Sequence, residues 1–122
     1  LTPCPKPKTE TDPGYLKWLT FQPCAVCGCF PCEPMHQRLL SGGTSLKPSD
    51  EHALPGCEVC HRETEHGING GVLKLWNDRS GMKFKNKHDL RDYLKAACMQ
   101  SYGTYLIEKI RAKFKIFHGI SS

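Results

Sequence analysis

Two Cys-x-x-Cys pairs, Cys24-Ala-Val-Cys27 and Cys57-Glu-Val-Cys60, are separated by 29 residues in a chain of 122, and His36, His52, His61 and His66 crowd around them. A two-residue spacer lets both thiolates of a pair turn toward one ion. Four such sulfurs make a closed tetrahedral zinc site of the structural kind, with no position left for a substrate. In zinc-finger peptides a site like this contributes about 10–16 kcal/mol, as much as a whole domain's stability. Gly28 directly behind Cys27 lets the chain turn tightly there. Cys29 and Cys32 form a further Cys-x-x-Cys, interleaved with the first, and either pair could chelate; Gly28 favours Cys24 and Cys27. Cys29 and Cys32 are then candidates for a second zinc, together with Cys4 and a distant Cys98 or histidine.

The histidines hold fixed offsets from these pairs. His36 lies nine residues after Cys27, His52 five before Cys57, and His61 follows Cys60 directly. An imidazole is mostly neutral near pH 7, so each of them could take a proton from water or bind a metal.

The combined pattern resembles the zinc-stapled branch of the HNH (His-metal finger) endonuclease family. The matching stretches are Cys24 to Cys27, Met35-His36, Gly42-Gly43 and His52-Ala-Leu-Pro-Gly-Cys-Glu-Val-Cys-His61. Together with the run from Tyr15 to Cys24 and the segment His61 to His66, they look like a phage-associated subgroup that includes a recombination-enhancement nuclease acting with RecA. The resemblance covers about Tyr15 to His66. It implies a small α+β treble-clef or ββα-metal fold and a metal-dependent DNA endonuclease acting in RecA-linked recombination. His36 is then the general base, His52 orients it in place of the usual Asn, and His61 binds a catalytic Mg²⁺ or Mn²⁺. Zinc is structural, and DNA and the RecA filament are the implied partners.

One departure matters. Met35 stands where the family often carries an acidic or histidine ligand, and a thioether is a poor ligand for a hard ion. Replacement ligands within the chain are His66, Glu65 or His88, with Glu33 a weaker option. Met35 equally favours a second reading, a non-catalytic zinc module that binds nucleic acid or protein. A third reading, a secreted disulfide framework, is disfavoured by the metal-ligand spacing of the cysteine pairs and by the lack of an apolar leader at Leu1 to Lys8.

The elements that must position these residues are partly legible. Residues 1–12 read as an extended basic arm and 13–122 as one nuclease-like domain, with a zinc and active-site core at 21–67 and a basic helical part at 79–118. Asp12-Pro13 is a helix start, and Tyr15, Leu16, Trp18 and Leu19 give a short amphipathic helix. Glu33 to Leu40 is expected as a short strand carrying His36, residues 41–52 as a loop, and Cys57 to His66 as a helix stopping at Gly67. Val72 to Trp76 fits helix or strand. Asn86 caps a helix whose Leu90, Tyr93, Leu94, Ala97 and Cys98 form a buried face. A last helix over about 105–117 is expected to turn Leu106, Ile110, Phe114 and Phe117 inward.

Charge is asymmetric. The net charge is +5, and from Arg79 onward ten Lys/Arg face only Asp89, Asp92 and Glu108. Lys83, Lys85, Lys87, Lys109, Arg111, Lys113 and Lys115 are thus the candidate backbone contacts to DNA. No apolar run reaches the ~20 residues of a membrane span, so no membrane partner and a cytoplasmic setting are expected.

Overall fold

The computed structural model describes residues 11–41, 49–66 and 71–118. The arm with Cys4, the Gly42-Gly43 loop and Gly67 lie outside them. Helix α1 (Pro13–Leu19) starts as its sequence dictates: Asp12 Oδ1 accepts the Tyr15 backbone N–H at 3.1 Å, with Pro13 in the first turn. After a turn-rich segment come strand β1 (Cys32–His36), a 3₁₀ turn (Arg38–Ser41), a second 3₁₀ turn (Asp50–His52) and strand β2 (Ala53–Cys57). Helices α2 (Glu58–His66), α3 (Gly71–Ser80) and α4 (Lys87–His118) complete the chain. This is a small α+β domain.

The sheet is one antiparallel pair, with Glu33 opposite Gly56, Met35 opposite Leu54 and His36 opposite Ala53. Residues 33–40 therefore split into strand and 3₁₀ turn rather than a single strand. Strand β2 occupies a stretch for which the sequence announced no element, directly after the expected loop of 41–52. Its Pro-Gly content disfavours a strand locally, but tertiary packing explains the glycine. A Cβ on Gly56 would sit 2.7 Å from the Met35 sulfur, so a side chain at position 56 would displace Met35 from its place in the core. Met35 itself is fully buried and is a core residue.

Two apolar clusters hold the elements. In the larger, Met35, Leu54 and Cys60 pack with Trp76 of α3 and with Leu90, Leu94 and Cys98 of α4. Asn86 Oδ1 accepts the Asp89 N–H at 2.9 Å and caps α4. The smaller cluster sets Tyr15 and Leu19 of α1 against Ala53 and Tyr105. Tyr15 is fully buried, its hydroxyl 2.8 Å from both the Ala53 carbonyl and Ser101 Oγ, and burial pushes its pKa up to about 12. Tyr102 donates to Asp12 Oδ2 at 2.8 Å and Trp18 Nε1 donates to Glu108 at 3.1 Å, so α1 clasps the middle of α4.

Helix α4 departs from expectation. The two helices anticipated around 86–98 and 105–117 are one helix of 32 residues running through Gly103. Leu106, Ile110 and Phe114 are exposed rather than inward, at 37%, 54% and 56%.

Candidate metal centre

The first cysteine pair sits in a turn whose backbone is tied down locally. Gly28, at φ 81°, closes it, its N–H donating to the Cys24 carbonyl at 2.8 Å. Ala25 N–H donates to the Pro55 carbonyl at 2.8 Å, pinning the turn against β2. The second pair brackets the junction of β2 and α2, with Cys57 ending the strand and Cys60 in the first helical turn. The two pairs meet: the ligand sulfurs of Cys24, Cys27, Cys57 and Cys60 all lie within 4.8 Å of one another.

The geometry fits zinc. A tetrahedron with Zn–S near 2.3 Å has edges of about 3.8 Å, and Cys27 Sγ lies 3.6 Å from Cys57 Sγ. That is well beyond the ~2.05 Å of a disulfide bond, and all seven described cysteines are free thiols. The donor chemistry agrees. Burial pushes the thiols of Cys57 and Cys60 up, and the sulfurs of Cys24 and Cys27 add to it, while Cys60 partly offsets the rise at Cys57. Burial also opposes ionisation of Cys24, but backbone hydrogen bonds from Cys27, Cys57 and Val26 outweigh it and bring that thiol down to about 7. Four clustered sulfurs cannot all ionise without a cation among them. Arg79 of α3 approaches Cys60 Sγ at 3.6 Å through Nη1, while its Nη2 is held by Glu63 at 2.6 Å. This support from 19 residues away leaves no trace in the cysteine motif.

The histidines do other things. His36 Nε2 lies 2.8 Å from Asp50 Oδ1. His61 Nδ1 is bonded to Glu33, across the gap between β1 and α2. His36 and His52 open onto different cavities: His36 onto one with Thr64 and Val72, His52 onto one with Met99, Tyr102 and Gly103 of α4. His88 is exposed on α4, 3.5 Å from Asp92, and His66 ends α2. Among the described residues, the four cysteines are the sole His/Cys/Asp/Glu group able to hold a metal. No second group of three or more such residues is present among them for Mg²⁺ or Mn²⁺, and the side chains of Glu65 and His66 lie outside the described residues. Cys29 and Cys32 join no metal group either; Cys29 is exposed and Cys32 Sγ donates to the Cys29 carbonyl at 3.2 Å.

These findings correct the enzymatic expectation. The centre that the fold assembles is a closed four-thiolate site of the structural kind, not a His/Cys catalytic motif built from His36, His52 and His61. The endonuclease reading is corrected with it, the RecA and phage terms find no support in this site, and no contact to DNA is shown. Lys83, Lys85, Lys87, Lys109, Arg111 and Lys113 are solvent-exposed, and Lys115 lies in the last turn of α4. Asp50 was missed in the sequence because a carboxylate in a turn-rich loop carries no mark of burial.

Residues 2–93 match the profile of a family described as a protein of unknown function (DUF968). No curated protein and no solved structure matches the chain.

Proposed function

Because the chain belongs to the DUF968 family, whose description assigns no chemistry, we propose from its own site that it is a non-catalytic zinc-binding interaction module, its partner a protein or a nucleic acid. The observation that carries this reading is the convergence of Cys24, Cys27, Cys57 and Cys60 on one point, with no other metal-capable group among the described residues. A closed site spends all four coordination positions on the protein, so its contribution is to folding. The β1–β2 hairpin running into α2, with one cysteine pair in a turn and the other at a helix start, supports a treble-clef type of zinc fold. In it the metal replaces the larger core that 122 residues would otherwise need. No described helix is long and apolar enough to cross a membrane.

The test combines metal analysis with a cleavage assay. The purified chain should carry one zinc, and supercoiled DNA incubated with it and Mg²⁺ or Mn²⁺ should stay intact. DNA cutting that disappears in His36→Ala, with zinc retained, would overturn the reading.

A further inference from the structure

Helix α4 has two apolar faces, and the fold uses one. At about 3.6 residues per turn, Leu90, Leu94, Cys98 and Tyr105 fall on the side turned to the two cores, where all four are buried. Met99, Leu106, Ile107 and Ile110 fall within an arc of roughly 100° centred on the opposite side, and they are 71%, 37%, 51% and 54% exposed. The two faces are about half a turn apart, so the core cannot also cover the second one.

Gly103 lies in the middle of this outer stripe. A glycine inside a helix costs stability relative to alanine. A Cβ placed there meets nothing within 4 Å, so no described neighbour requires glycine at this position. Its effect is a notch: a groove of about 310 Å³ opens at Gly103 between Met99, Tyr102 and Leu106 on one side and Glu51 and His52 on the other. There is room in it for one large apolar side chain from outside.

Charge narrows the occupant. Lys109 and Lys113 border one edge of the stripe and Arg111 the other, all three exposed. The acid of this stretch, Glu108, is turned to the core side and accepts from Trp18. A second copy of this helix would bring like charges together, whereas an apolar helix edged with carboxylates would pair with both edges. We infer that the outer face of α4 docks an acidic amphipathic helix of another protein, with one apolar side chain seated over Gly103. This deepens the interaction-module reading and rests on it.

The probes are two synthetic amphipathic helical peptides with the same leucine face, one edged with Glu and one with Lys, titrated into the zinc-loaded full chain. The Glu peptide should bind, and the Lys peptide should bind at least ~10-fold more weakly. Gly103→Leu and Ile110→Ser should each weaken the Glu peptide by roughly 10-fold with zinc content and helicity unchanged. Lys109→Glu combined with Lys113→Glu should reverse the preference between the peptides. Binding of neither peptide, or of both equally, overturns the inference. So does a dimer of the chain itself that Ile110→Ser dissociates, or binding to phosphatidylglycerol vesicles in place of the peptides. Zinc content and DNA integrity are measured on the same samples. Loss of peptide binding with zinc bound and DNA intact therefore counts against the docking face alone.

Discussion

His36 Nε2 lies 2.8 Å from Oδ1 of Asp50, a carboxylate 4% exposed whose Oδ2 accepts the Asp12 backbone N–H at 2.8 Å. An ionised carboxylate only accepts, and against it the imidazole donates from Nε2. One buried side chain thus ties the end of β1 to the start of α1. Removing it takes the acceptor from the His36 ring and from the Asp12 backbone N–H, both half-buried. Asp50→Ala should cost on the order of 3 kcal/mol in urea unfolding of the zinc-loaded protein. Asp50→Asn should cost less, since its amide oxygen still accepts one bond. A loss below about 0.5 kcal/mol in Asp50→Ala would show that the pair is dispensable.

Zinc binding should be coupled to proton release. Burial holds the Cys57 and Cys60 thiols above their ordinary values, so in the metal-free chain they are protonated at neutral pH and must give up those protons to bind the ion. The sign follows directly: zinc affinity rises with pH and falls as acid returns protons to sulfur. Calorimetry in buffers of different ionisation enthalpy should report several protons released per zinc. Cys60→Ser should bind zinc at least ~10-fold more weakly and lose helicity on exposure to a chelator. Undiminished helicity in the metal-free protein would show that the core folds without the ion.

Arg79 is expected to slow zinc loss. Its guanidinium reaches Cys60 Sγ at 3.6 Å and is oriented by Glu63 at 2.6 Å, offsetting negative charge on the sulfur cluster. Arg79→Gln should keep the fold yet transfer zinc to a competing chelator with about 10-fold lower retained affinity, as outer-sphere contacts commonly show. Equal retention in Arg79→Gln and the parent would remove this role.

Cysteine reactivity should separate by environment. Cys29 is exposed, whereas Cys98 is buried in the core and burial pushes its thiol up to about 12. With zinc bound, iodoacetamide at pH 8 should modify Cys29 first and leave Cys98 untouched, as peptide mapping would read. The raised value also has a stability consequence. The folded state keeps the Cys98 proton where the unfolded chain releases it, so its contribution is complete below about pH 9. It is then lost as pH climbs toward 12. Cys98→Ala should flatten that alkaline decline, and an unaltered pH profile would argue against it.

Much of the local structure was legible in the sequence. Asp12-Pro13 and Asn86 mark helix starts by chemistry confined to a few neighbouring residues, and both caps are present. Leu90, Leu94 and Cys98 announce a buried face by periodicity alone, and all three are buried. Strand β2 was hidden because Pro55 and Gly56 oppose a strand locally; only the Met35 side chain lying over Gly56 explains the glycine. The histidine offsets suggested one shared site, but offsets along the chain do not say which way a ring turns. His36 meets Asp50, His61 meets Glu33 and His52 faces α4.

The sequence by itself put Cys24, Cys27, Cys57 and Cys60 forward as metal ligands, because two thiolates separated by two residues can turn to one ion; that Cys29 and Cys32 stay out of the site was decided by the fold. The outward face of α4 was decided by tertiary structure. Read as two helices, the stretch leaves the phase of its second half free, and Leu106 and Ile110 look like core. As one helix anchored through Leu90, Leu94 and Tyr105, with α1 clasping Tyr102 and Glu108, it has a single phase. That phase is set by contacts reaching across 90 residues, which carry Leu106, Ile107 and Ile110 away from the core and into solvent.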